Sequence, residues 1–133
     1  MIVLHTSAAL DGYFDPSCWN GLVSLLKSQT ILVPQHFEIE CMSGLRRIDR
    51  RRNLTAAEFA AFKLFVAGIP LIVVPTITLY ESIWDMRHNT TSYDANYVSI
   101  ARATNSILIT HDEKLTKAAI SLVNIQRLDD SAP

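Results

Sequence analysis

Cysteine is scarce in this chain of 133 residues: Cys18 and Cys41 are the two it has. Their separation matches neither a metal-ligand spacing nor a secreted disulfide framework, so both read as buried free thiols within helical stretches. Charge of one sign is missing as well. Twelve Lys and Arg stand against thirteen Asp and Glu, a formal net charge of −1, so no global field draws the chain to nucleic acid and any such contact must be local. No apolar run approaches the roughly 18 residues of a membrane span, and no basic segment leads into a long apolar one at the N-terminus. These absences point to a soluble, cytoplasmic chain with no membrane partner. What is present, 49% hydrophobic residues in 133, suits one domain over residues 1–133 with a full core.

Short aliphatic runs recur between amphipathic stretches: MIVL at the start, ILVP ending at Pro34, LIVV ending at Val74, ILIT ending at Thr110 and a weaker VNIQ around Ile125. Such runs, bounded by turn signals, predict fully buried strands of a parallel sheet. Helices are expected over Ser17 to Ser28 with a Ser N-cap, and from Pro34 through FEIECMSGLRR. Thr55 and Glu58 form a capping box for a helix that stops at Gly68, and Ile77–Arg87, Ser92–Thr104 and Asp112–Ser121 supply three more. The closing Ser131-Ala132-Pro133 reads as a frayed end. The alternation predicts a three-layer α/β/α sandwich around a mostly parallel five-stranded sheet.

Polar chemistry sits beside these elements at four places: His5 after the first strand, Glu38 and Glu40 on one helix, Asp94 in the first turn of another, and Asp112 after ILITH. Strand ends at the carboxyl edge of an open sheet converge on one crevice, and a helix N-terminus favours a carboxylate there. Glu38 and Glu40 lie about 200° apart around a helix, so one of them faces the crevice, and Glu40 is chosen. Gathered carboxylates repel unless a hard cation such as Mg²⁺ or Mn²⁺ joins them, and such an ion can activate water against a phosphoryl group. Taken singly, each acid also reads as a surface charge or a helix cap, Asp112 especially.

Together these stretches resemble PIN-domain ribonucleases of the VapC toxin type. HTSAAL is similar to the family's DTSAL opening, with His5 where the family has its first metal-binding aspartate. VPQHFEIECMSGLRR resembles the stretch in which a proline precedes a catalytic glutamate by six residues, which selects Glu40. SYDANYVSIARATNSILITHDEKL resembles the block that selects Asp94 and Asp112. The resemblance implies a sheet of order 3-2-1-4-5 and an acidic pocket for Mg²⁺ or Mn²⁺ built from position 5, Glu40, Asp94 and Asp112, with Thr6, Ser7 and Thr110 as supporting polar groups. It further implies endonucleolytic cleavage of structured RNA such as tRNA or rRNA, a homodimer, and a cognate VapB-type antitoxin.

The departure is His5. Imidazole brings no negative charge and suits softer metals than Mg²⁺, so it weakens the expected site. The chain then reads as an impaired nuclease, with a PIN-fold module that binds antitoxin or RNA without cleavage as the alternative. A receiver-like domain using clustered acids to hold Mg²⁺ ranks last, because Lys114 is poorly placed for it. Arg46, Arg47 and Arg50 belong to a run of five arginines in seven residues, which could meet phosphate or an antitoxin carboxylate as readily as it could cap a helix.

Overall fold

Five short strands, β1 (Ile2–Leu4), β2 (Ile31–Pro34), β3 (Leu71–Val74), β4 (Ile107–Ile109) and β5 (Ile125–Gln126), run parallel in the order β3-β2-β1-β4-β5. They are seen in a computed structural model that describes residues 1–129. The expectation for Ser131-Ala132-Pro133 falls outside the described residues. Among the described residues seven α-helices surround the strands: α1 (Thr6–Phe14), α2 (Pro16–Ser28), α3 (Phe37–Arg52), α4 (Ala56–Gly68), α5 (Tyr80–Asp85), α6 (Ser92–Thr104) and α7 (Glu113–Ala119). The α/β/α fold and the sheet order are those expected.

Val3, Leu4, Ile31, Leu108 and Ile109 are all at or below 1% exposure, so the middle of the sheet is covered on both faces. Each such side chain contributes about 1.5–3 kcal/mol by leaving water, which explains why three-residue strands suffice. The edge differs from expectation. Ile72 and Val73 of β3 are each half exposed, because β3 has a neighbour on one side only and incomplete cover on its faces.

Helix α1 was not anticipated. Its sequence TSAALDGYF buries Thr6, Ala8, Ala9, Leu10 and Gly12, so it shows no polar stripe by which a surface helix is recognised. Close approach is what its small residues provide: a side chain at Gly44 of α3 would overlap Leu10, and a Cβ at Gly12 would lie 2.6 Å from Leu22 of α2. Three boundaries also shift. Asp15, not Ser17, caps α2, accepting from the Ser17 amide at 2.9 Å, with Pro16 in the first turn. Pro34 ends β2, and α3 begins at Phe37 after a turn at Gln35-His36. Residues Ile77–Arg87 divide into a 3-10 turn, Thr76–Leu79, and the short α5. The Thr55–Glu58 capping box forms as read, both of its bonds at 3.1 Å, and Cys18 and Cys41 are buried free thiols.

Candidate active site

His5 leaves the carboxyl end of β1 and serves as N-cap of α1. Its Nδ1 accepts from the Ser7 amide at 3.3 Å and lies 2.8 Å from Ser7 Oγ. An amide can only donate, so Nδ1 carries no proton, and the ring N–H is on Nε2, which points at Asp94 Oδ1 3.4 Å away. The neighbouring bonds take the same polarity. The Asp112 amide donates to Thr110 Oγ1 at 3.1 Å, Thr110 Oγ1 lies 3.2 Å from Ser7 Oγ, and the His111 amide also donates to Ser7 Oγ at 2.9 Å. With two donors arriving, the Ser7 hydroxyl has its own proton for His5 Nδ1. A directed chain of hydrogen bonds thus ties the end of β4 to Asp94 through the 5% exposed imidazole.

A second cluster centres on Glu40, in the first turn of α3. Tyr97, fully buried on α6, donates its hydroxyl to Glu40 Oε1 at 2.7 Å, and Thr6 Oγ1 lies 2.8 Å from the same phenol and 3.4 Å from the carboxylate. His36 Nε2 stands 3.1 Å from Glu40 Oε1, off the line of a hydrogen bond, as an ion pair when the ring is protonated. Burial alone would raise the Glu40 pKa. The His36 imidazole and the Tyr97 hydroxyl outweigh burial and hold it below the ordinary glutamate value. Burial and the adjacent Glu40 charge push the Tyr97 phenol well up, so it remains a donor. Tyr97 also touches the His5 ring edge to face at 4.5 Å, joining the two clusters.

Glu38, two residues away, is exposed. Asp94 lies in the first turn of α6, its amide bound by the N-cap Thr91 at 3.2 Å. Asp112 caps α7, its Oδ1 accepting from the Leu115 amide at 2.9 Å. Arg46, Arg47 and Arg50 are exposed along α3, Arg50 about 15 Å down the axis from Glu40 at 1.5 Å per residue.

The donor set tests whether a divalent cation fits. Among the described residues, no group of three or more His, Cys, Asp or Glu side chains could hold a metal ion. Glu40 Oε1 is occupied by Tyr97 and His36, Asp94 Oδ1 faces the His5 N–H, and Asp112 Oδ1 is used as a cap. Each carboxylate thus has one oxygen engaged by protein groups, and as arranged the acids do not come together as a cation shell among the described residues.

Tyr97, the hydroxyl donor to Glu40, was not placed in the site from the sequence, and neither were two histidines. His36 precedes Glu40 by four residues, a spacing that places the pair on one side of the helix start, and this signal was available in PQHFEIE. His111 bridges Asp11 Oδ2 at 2.9 Å and the Leu128 amide at 3.0 Å, contacts distant in sequence that no local pattern announces.

Residues 2–121 match the family model described as PIN domain. Ribonuclease VapC9 of Mycobacterium tuberculosis is 34% identical over 116 residues, 87% of this chain and 89% of its own. Ribonuclease VapC3 of the same organism is 32% identical over 118 residues, 88% and 86% of the two chains. Among solved structures, PAE2754 from Pyrobaculum aerophilum superposes with a TM-score of 0.73 at 17% identity, covering 97% of this chain and 91% of that one. VapBC2 from Rickettsia felis, solved bound to a DNA fragment from their promoter, gives 0.63 at 20% identity, covering 96% and 98%. Both share the fold. No helix among the described residues is long and apolar enough to cross a membrane.

Proposed function

Because this chain belongs to the PIN-domain family and is related to the VapC ribonucleases, we propose that it is a VapC-type module that binds RNA and a VapB-type antitoxin while cleaving little or no RNA. The observation that carries this reading is the His5 Nε2–Asp94 Oδ1 contact of 3.4 Å at the carboxyl end of β1. On this reading His5 stands where the family's first metal-binding aspartate would be, and Glu40, Asp94 and Asp112 are the three acids that remain. An imidazole N–H aimed at a carboxylate does the opposite of what a fourth carboxylate would do: it lowers the local negative charge that would attract Mg²⁺ or Mn²⁺.

The rest of the crevice supports retention of binding. Thr6, Ser7 and Thr110 keep their polar contacts, and exposed Arg46, Arg47 and Arg50 offer forked donors to RNA phosphate or to an antitoxin carboxylate. The working form is a homodimer in complex with the antitoxin. The parent nuclease activity of the family would need Mg²⁺ or Mn²⁺, which position 5 here opposes.

His5→Asp beside the unchanged chain tests the proposal on tRNA and total RNA, with Mg²⁺ and with Mn²⁺. The expected outcome is cleavage by the variant at least a hundredfold faster, while the unchanged chain binds the same RNA intact. Equal cleavage by both proteins overturns the proposal.

A further inference from the structure

We propose that the groove beside the acidic crevice is a site for one unstacked RNA base bearing an exocyclic amine, with the ring on Trp84 and the amine on Asn96 Oδ1. This inference rests on the RNA-binding reading above. The groove, about 590 Å³, is lined by His36, Tyr80, Trp84, Arg87, Tyr93 and Asn96, a size in the ordinary range for small-ligand sites.

Three planar side chains surround it and stay largely in water: Tyr80 is 58% exposed, Trp84 65% and Tyr93 61%. Aromatic faces held open in this way are platforms on which bases stack regardless of sequence. Trp84 is held in place. The Arg87 guanidinium lies 4.4 Å from the indole centroid, and its Nη1 donates to the Trp84 carbonyl at 2.9 Å. That contact also puts a fixed positive charge at the rim, where a phosphate would lie.

Asn96 supplies the selectivity. The residue is 2% exposed, its Nδ2 donates to Thr76 Oγ1 at 3.1 Å, and its Oδ1 has no hydrogen-bond partner among the described residues. A buried acceptor left without a donor is unfavourable, and a ligand N–H that reaches it is rewarded. Adenine, cytosine and guanine project an amine from the ring edge, whereas uracil presents two carbonyl oxygens with its N–H recessed between them. A deep carboxamide oxygen therefore favours the first three. His36 lines this groove and lies 3.1 Å from Glu40 Oε1, so a seated base places its backbone beside the crevice.

Trp19 and Trp84 are the two tryptophans, so Trp19→Phe leaves Trp84 as the single indole reporter. Hexamers of A, C and U are titrated in EDTA, which removes cleavage from the measurement. The A and C hexamers are expected to quench Trp84 and to bind at least fivefold more tightly than U, and Asn96→Leu to abolish that difference. Trp84→Ala, a change at an exposed position, is expected to weaken labelled A and C hexamers about tenfold by anisotropy, and carries the test if Asn96→Leu does not fold. RNA that binds without quenching Trp84, or prefers U, or keeps its preference in Asn96→Leu, overturns the site and leaves the RNA-binding reading standing. Failure of every RNA to bind overturns both, and quenching by an antitoxin peptide alone assigns the groove to protein.

Discussion

Glu40 is an acid whose charge the protein sustains by direct contact, from the Tyr97 hydroxyl at 2.7 Å and the His36 ring at 3.1 Å. Its pKa is held below the ordinary 4.5, so Glu40 contributes stability above that pH and the contribution is lost as pH falls through the folded value. Glu40→Gln is therefore expected to flatten the acid limb of stability as pH falls below the ordinary glutamate value of 4.5, read as urea midpoints against pH. An acid limb as steep as the parent's would show that the contacts do not favour the charged form. At this scale the sequence was partly legible. Helical geometry said only that one of Glu38 and Glu40 can face the crevice; the family resemblance selected Glu40, and Glu38 is the exposed one of the two. The tautomer of His5 was not legible, because it depends on Ser7, Thr110 and the Asp112 amide, donors brought together from both ends of the chain.

Elements signal themselves in sequence when local energetics suffice to define them. The capping box at Thr55 and the aliphatic runs of β1, β2 and β4 are of this kind. Helix α1 is not. Its order comes from burial against α2 and α3, which requires Gly12 and Gly44 in elements well apart in the chain. Helix α4 is likewise held by tertiary contacts: Phe62, 3% exposed, meets Tyr13 at 5.1 Å and Phe14 at 5.6 Å between ring centroids. Phe62→Ala is expected to cost about 3–5 kcal/mol in chemical denaturation, because the neighbouring rings cannot close the cavity fully. A loss below about 1 kcal/mol would mean that α4 is not anchored there.

For the molecule as a whole, a net charge of −1 makes RNA affinity depend on where positive charge is placed. Arg87 stands at the groove rim, and Arg46 and Arg50 are exposed on α3. If RNA phosphates contact both Arg46 and Arg50, Arg46→Ala with Arg50→Ala is expected to lower the slope of log affinity against log salt by about 1.4, roughly 0.7 for each lost phosphate contact on a single strand. An unchanged slope would place these arginines outside the RNA path. The sheet order and layer pattern at this scale were readable because alternating runs of strand and helix leave few topologies open. The half-exposed edge at β3 was not, since four aliphatic residues in a row look the same at an edge as at the centre.

The His5–Asp94 contact bears on stability as well. With a neutral imidazole N–H at that point, Asp94 receives a hydrogen-bond donor from the chain itself and meets no further charge to repel it. His5→Asp would replace that donor with a further carboxylate near Asp94 and Glu40, and the like charges would repel until a cation bound. The melting temperature of the variant should then rise with Mn²⁺ concentration, as required when a ligand binds the folded state alone, while that of the unchanged chain stays level. Two parallel curves would show that the residue at position 5 does not set the crevice's demand for a cation. Two curves that diverge would make a residue at the mouth of the sheet the point at which this protein exchanged metal dependence for self-sufficiency.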